Sequence, residues 1–301
     1  MKSLLELRNN FFQIFLFHGV IKKKKFKVRN YNNKHLLEDH FYKVLKRLKS
    51  KGNALSMDEM VFIKKNNQKF PKKSFVITFD DGFENNYSIA APILDDLNIP
   101  ATFYFSTDFI DNNTMSWIDK IEYCFELDKK LRFLEINDFG NFDISTIEKK
   151  IKCLEIIRAK VKSNFNINTK ILVKKIFKYF NLEMINNSNN DIDKKINWKK
   201  TNLLKNNKLF TLGGHSHFHM PLTYFSKKGA VNQISKSIKL FKNNTNIILK
   251  HYSYPEGQKK DYNQNIKSIL NKKGIICCPA AINGFNNLKT SLFDLRRIQV
   301  I

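Results

Sequence analysis

Cysteine and long apolar runs are scarce in this 301-residue sequence, and acidic side chains are few beside the basic ones. Its four cysteines, Cys124, Cys153, Cys277 and Cys278, show neither a C-x-x-C spacing nor a regular framework. Neither a zinc ribbon nor a disulfide scaffold is indicated, and reduced, buried thiols are expected. The most apolar early stretch, Phe11 to Val20, is interrupted by Gln13 and His18 and falls far short of the ~20 residues that a membrane span needs. A basic run follows it rather than a small-residue cleavage site, so neither a transmembrane helix nor a signal peptide is read, and a cytoplasmic location is expected. No tandem repeat is evident, and no histidine follows His251.

The shortage of Asp and Glu, 27 against 53 Lys and Arg, gives a net charge of +26. Alone, that balance suggests nucleic acid, an anionic membrane surface or an acidic substrate. The lysines are scattered through every segment beside Asn and Ile, as an AT-rich coding sequence would produce, and no nucleic-acid motif accompanies them. No specific nucleic-acid partner is therefore expected. The densest cluster, Lys22 to Lys25, is the place where the chain could make peripheral contact with anionic lipid headgroups. Apolar residues are plentiful: 42% of the chain is hydrophobic and 27 residues are Phe, enough to bury a substantial core and to exclude disorder over most of the length. A single domain over 1–301 is expected.

Periodicity divides the chain into strand and helix pairs. Phe11 to Phe17 reads as a buried first strand, and Leu37, Phe41, Val44, Leu45 and Leu48 keep a 3.6-residue period that Gly52 ends. Ser74 to Phe79 reads as a second buried strand, Ile89 to Leu97 as the next helix face and Ala101 to Phe105 as the next strand. From Met115 to about Lys205 the pattern is mostly helical, with Ser145 and Glu148 resembling a capping box, and is expected to be a helical insertion over 115–205. Alternation then resumes: strand Lys208 to Leu212, helix Val231 to Phe241, strand Ile247 to Tyr254, helix Tyr262 to Leu270, and short strands near Gly274 to Cys278 and Leu295 to Val300.

Two clusters carry chemistry, each placed directly after a predicted strand, where the loops of parallel α/β folds converge on ligands. In Thr78-Phe79-Asp80-Asp81-Gly82, one carboxylate can bind a cation while its neighbour takes a proton from water; a solvent-facing Asp-Asp-Gly turn would read the same way. Gly213-Gly214-His215-Ser216-His217-Phe218-His219-Met220-Pro221 holds three of the chain's 7 histidines within five positions. Imidazoles four apart share a face of a helical turn, so His215 and His219 can grip one ion, with His217 pointing elsewhere. Two histidines and a carboxylate with an open position make a catalytic metal set.

These motifs resemble the first two motifs of the polysaccharide deacetylase family, the NodB-homology domain of carbohydrate esterase family 4, although Met220 separates the second histidine from Pro221. The resemblance implies an α/β fold, a distorted (β/α) barrel of about seven strands. It implies Asp80 as catalytic base and Asp81, His215 and His219 as ligands of a divalent metal, commonly zinc. Phe17-His18-Gly19-Val20 is similar to the opening strand of many members. Ser116-Trp117-Ile118-Asp119 resembles the start of an insertion found in one subgroup, and Leu295-Arg296-Arg297-Ile298 its closing strand. Tyr252-Ser253-Tyr254-Pro255-Glu256-Gly257 resembles the third motif, which lines the groove, so Tyr254, Pro255 and Glu256 are the expected substrate and oxyanion residues.

The sequence departs from the family pattern at two places. Ser253 stands where an arginine often orients the base, and the late Leu-x-His motif that supplies a general acid is missing. His18 is then the first candidate acid and His251 the second. Trp117 could stack on a sugar or anchor the insertion. The implied activity is hydrolysis of an N-linked acyl group, N-acetyl above all, on an amino sugar of a surface glycan or a lipid-linked precursor. A non-catalytic, metal-containing glycan-binding or scaffold protein is the alternative that the missing histidine favours.

Overall fold

The computed structural model describes residues 6–9, 11–136 and 139–301. In chain order, β1 (Gln13–Phe17), β2 (Gly19–Ile21) and β3 (His35–Leu37) lead into α1 (Glu38–Lys51). β4 (Asn53–Ala54) and α2 (Met57–Lys65) precede β5 (Ser74–Phe79), which a π-helical turn at Asn86–Ala90 and α3 (Ala91–Asp96) join to β6 (Ala101–Phe105). Next come α4 (Thr107–Asn112), α5 (Trp117–Leu127), β7 (Phe133–Ile136), β8 (Gly140–Asp143), α6 (Ile147–Ser163), α7 (Thr169–Tyr179) and α8 (Trp198–Lys205). β9 (Phe210–Gly214), a 3-10 turn at Leu222–Tyr224, α9 (Lys227–Thr245), α10 (Gln264–Lys272) and β10 (Ile298–Gln299) complete the chain.

The main sheet runs β10-β1-β5-β6-β9 with every pair parallel, and β4 pairs with the start of β5. Sheets of this kind are covered on both faces, which is why their strands are continuous apolar runs rather than alternating ones. Phe17, Phe79 and Phe103 stack across neighbouring strands at 5.4 and 5.0 Å on the face covered by α1 and α3, where Phe41, Leu45 and Leu94 are buried. Each such phenylalanine contributes about 1.5–3 kcal/mol by leaving water.

Past β9 the sheet continues without full strands. Gly214 bridges Tyr252 and His251 bridges Cys277, both in the parallel sense. The Cys278 N–H then reaches the Leu292 carbonyl at 2.9 Å, the Ala280 N–H reaches Leu295 at 2.8 Å, and Val300 closes onto Leu16 at 3.0 Å. The strands expected at Ile247 to Tyr254, Gly274 to Cys278 and Leu295 to Val300 thus shrink to isolated bridges and the two residues of β10. Pro255 and Pro279 explain part of this, because each removes a ladder donor where its run would continue.

Residues 117–136 and 139–180 pack around a second apolar cluster that includes Ile121, Phe125, Leu154, Ile157 and Phe177. The stretch is not wholly helical: β7 and β8 form an antiparallel hairpin. α6 begins one residue later than the sequence suggested, since Thr146 rather than Ser145 is its N-cap and accepts the Lys149 N–H. Complete capping boxes stand instead at Ser56 with Glu59 and at Ser116 with Asp119. The second of these fixes the start of α5 beside the site described next.

Candidate active site

Parallel pairing of β1, β5, β6 and β9 brings their carboxyl ends together, so the two motifs meet although they are far apart in sequence. After Phe79 the chain turns sharply through Asp81 and Gly82, both at φ +73°. After β9 the two glycines allow close approach: a Cβ on Gly214 would sit 2.4 Å from the Tyr252 ring. His215 is pinned by its N–H to the Phe105 carbonyl (2.9 Å) and by Ser106 Oγ donating to its own carbonyl (2.7 Å).

Among the described residues, twelve non-glycine positions have positive φ, and seven are Asn, which tolerates that region. Of the other five, Asp81, Ser216, His219 and Glu256 all stand at this site. Backbone strain of this kind persists only where the surroundings enforce it, and it collects at functional sites. The two histidines therefore sit on a bend with two left-handed residues, not on the helical turn that their spacing suggested.

Asp80 is buried and held by a fork: Arg297 Nη1 donates to Oδ1 at 2.8 Å and Nη2 to Oδ2 at 2.7 Å. Arg297 Nη2 also donates to Ser253 Oγ at 2.9 Å, and Nε to the Ala280 carbonyl at 2.7 Å. The arginine missing at Ser253 is thus supplied by the closing segment just before β10, with the serine completing its contacts. Burial alone would raise the Asp80 carboxyl, but the Arg297 guanidinium outweighs it and holds it below the usual carboxylate range. A base kept ionised and aimed by a bidentate guanidinium is prepared to accept a proton.

Asp81 Oδ1 lies 2.9 Å from His219 Nε2 and 3.7 Å from His215 Nε2. These ligand atoms of Asp81, His215 and His219 all fall within 4.8 Å of one another. Despite the short approach of His219, Asp81 Oδ1 is buried without a hydrogen bond of acceptable geometry. A carboxylate oxygen and two imidazole nitrogens gathered this closely suit a metal ion. The donor set, two nitrogens and one oxygen with room for further ligands, fits a catalytic divalent metal. His215 Nδ1 is 2.9 Å from the Ser253 carbonyl, which requires the proton on Nδ1 and leaves the Nε2 lone pair free for the ion. Burial lowers the His215 pKa, so its ring is neutral beside both carboxylates. Burial opposes protonation of His219 too, but Asp81 outweighs it and raises that pKa.

Sequence reasoning missed Lys34, whose Nζ reaches the outer oxygen of Asp81 at 2.8 Å and stands 4.0 Å from Asp119. With His219 it overcomes burial and keeps Asp81 well below the ordinary carboxylate range. No motif marks Lys34, one lysine among many. Arg297 was visible within a motif, but nothing local says which carboxylate it meets 217 residues away.

The remaining candidates divide. His18 lines the same small cavity as Asp80, Asp81, His215 and His219, and burial depresses its pKa to about 4. His251 does not: its Nε2 is 2.8 Å from Asp58 on α2, and it is absent from the cavity wall. His217 is buried away from the ligands, with Nδ1 2.8 Å from Thr107 Oγ1. Tyr254 is also turned away, its hydroxyl donating to the Phe293 carbonyl and its ring stacked on Tyr262 at 4.0 Å. Its N–H is directed at the Pro279 carbonyl (3.4 Å) and Pro255 has none, so only the Glu256 N–H remains as an oxyanion donor of that trio. The Glu256 side chain does reach the cavity. Burial would raise its carboxyl, but Lys162, His219 and Arg158 bring it to about 2. Trp117, at the start of α5, also lines the cavity.

Comparison with known proteins gives the family. Poly-beta-1,6-N-acetyl-D-glucosamine N-deacetylases of Staphylococcus aureus strains are 28% identical over 173 residues, 55% of this chain and 56% of theirs. The match thus covers little more than half the length of those relatives. The fold is similar to that of the Streptococcus pyogenes deacetylase PplD in complex with acetate (TM-score 0.62, 16% identity, 97% of this chain and 93% of that one). It is similar also to IcaB from Ammonifex degensii (TM-score 0.61, 12% identity, 98% and 94%). The family profile described as polysaccharide deacetylase matches residues 67–277, which take in both motifs and the turn at Glu256. On that match the chain belongs to the polysaccharide deacetylase family.

Proposed function

We propose that the protein hydrolyses the N-acyl bond, most directly N-acetyl, of an amino sugar in a surface polysaccharide or its lipid-linked precursor. The observation that carries this reading is Asp80, ionised and clamped by Arg297, beside the convergent Asp81, His215 and His219. A divalent metal held by those three, zinc by preference for this donor set, supplies Lewis acidity and lowers the pKa of water when bound.

The chain's own groups do the rest. Asp80 takes the proton of the attacking water, and Arg297 with Ser253 keeps its lone pair directed while the charge changes. The Glu256 N–H, the backbone donor left among Tyr254, Pro255 and Glu256, would meet the developing oxyanion. His18, neutral at rest because burial lowers its pKa to about 4, receives the proton during turnover and passes it to the leaving nitrogen. Lys34 fixes the outer oxygen of Asp81, so that the carboxylate presents a single oxygen to the ligand set. What favoured a binding-only protein was the absence of a histidine after His251; His18 in the cavity with Asp80 weighs against that alternative.

The test is acetate release from N-acetylglucosamine oligomers by wild type and Asp80→Asn. We expect cleavage by wild type and a loss of roughly 10²–10⁴-fold in the variant, as for removal of a general base, with metal content preserved. Oligomers that bind but are not cleaved under any metal supplied would reverse the choice in favour of the binding protein.

A further inference from the structure

The cavity that holds Asp80, Asp81, His18, His215 and His219 is small, about 110 Å³. That is enough for water and a small polar group but well below the roughly 300–1,000 Å³ of sites that take a whole ligand. It opens on two larger clefts. One, of about 450 Å³, is walled by Phe165, Tyr224, Lys162 and Glu256. The other, of about 740 Å³, is walled by Phe218, Lys120, Lys170 and Met220. Trp117 and His219 line all three spaces, so a metal ligand stands where the clefts meet. Each cleft falls within the roughly 300–1,000 Å³ typical of ligand sites, and a single sugar fills neither.

The first cleft has the chemistry of a sugar platform. Phe165 lies on the loop between α6 and α7, is 69% exposed, and stands 6.1 Å from the Tyr224 ring at an interplanar angle of 55°. One exposed phenylalanine needs no explanation, but this one is paired with a second ring inside a cleft continuous with the reaction centre. The Tyr224 hydroxyl is anchored at 3.5 Å from the Lys162 carbonyl, and the ion pair of Lys162 with Glu256 lines the same wall. A pyranose offers an apolar C–H face to such rings and hydroxyls to such an ion pair. Neither element provides the platform alone, since Phe165 comes from the insertion and Tyr224 from the loop after His219.

We infer that Phe165 and Tyr224 form a stacking subsite for the sugar next to the reacting one, through which chains of several sugars are preferred over a single sugar. This rests on the deacetylase reading and adds a substrate size and two specificity-determining residues to it.

The experiment compares kcat/KM for β-1,6-linked N-acetylglucosamine as monomer, trimer and hexamer, in wild type, Phe165→Ala, Tyr224→Ala and Phe165→Trp. Wild type should favour the hexamer over the monomer by at least about tenfold. The alanine variants should lose roughly tenfold more on the hexamer than on the monomer, chiefly through KM, as for removal of an aromatic anchor, with Phe165→Trp restoring most of the loss. An equal loss at every length, or none, overturns the subsite. Calorimetric binding of the hexamer to metal-loaded Asp80→Asn, with and without Phe165→Ala, separates the two claims. If wild type cleaves no length yet Phe165→Ala still weakens binding at least about tenfold, the deacetylase reading fails and the subsite stands. If the hexamer is cleaved and bound equally well without the Phe165 ring, the subsite fails and the deacetylase reading stands.

Discussion

At the residue scale, the arrangement turns on how two adjacent carboxylates are given different work. Asp80 faces a guanidinium fork and Asp81 faces an ammonium and two imidazoles, and the proposed mechanism uses the first as a base and the second as a ligand. Arg297→Lys keeps the charge but not the fork. We expect it to lower kcat by about 10²-fold while metal content stays that of wild type. Because Arg297 holds the Asp80 carboxyl down, weakening the pair raises that pKa. The base is then protonated sooner as pH falls, and the acid limb of the kcat/KM profile should move to higher pH; a profile unmoved on its acid side would show that Arg297 does not act through Asp80. The four residues around the reaction were legible as short-range patterns at strand ends: Asp80 and Asp81 together, His215 and His219 four apart. Lys34 and Arg297 were not, because a long cationic side chain names its partner only once the fold has closed.

At the element scale, legibility followed burial. β5 and β6 came out with the expected bounds because both their faces are covered, leaving unbroken apolar runs. The hairpin of β7 and β8 escaped because Phe133 and Glu135 face solvent and its pattern is too short to stand out among helices. The closing segments were over-read as strands for the opposite reason, their apolar residues being buried by neighbours without a continuous ladder.

α5 also carries a buried cost. Glu122 is buried beside Asp119, and burial first, then the charge of Asp119, raises its carboxyl from the ordinary 4.5 to about 7. Below about pH 4.5 it is protonated in folded and unfolded chains alike and costs nothing. As pH rises through about 7 the folded chain must bury a charge, and stability on the order of 3 kcal/mol is lost. Glu122→Gln keeps an oxygen to accept the Asn30 N–H (3.2 Å) without that charge. Denaturant unfolding should find the variant equal to wild type near pH 4.5 and more stable at pH 8; a constant difference between the two pH values would contradict this assignment.

At the scale of the whole molecule, the +26 charge says less than the fold does. Lys22 to Lys25 are exposed, with Lys25 paired to Asp191, whereas Lys34 is half-buried and Lys150 and Lys195 are buried, and all three serve internal contacts. No helix among the described residues is long and apolar enough to cross a membrane. A parallel sheet positions Asp80, Asp81 and His215, side chains between residues 116 and 162 wall the cavity, and Arg297 returns from near the carboxyl terminus to Asp80, so residues 18, 34, 80, 81, 215, 219 and 297 meet only in the complete fold.

The most direct test of that convergence is the metal content of the purified protein by mass spectrometry, wild type beside Asp81→Ala and His219→Ala, after dialysis without chelator. About one zinc or similar ion per chain in wild type, lost in both variants while their folds persist, is the predicted result. No ion in wild type even after zinc is supplied, or full retention in either variant, would contradict the assignment of Asp81, His215 and His219 as one metal site.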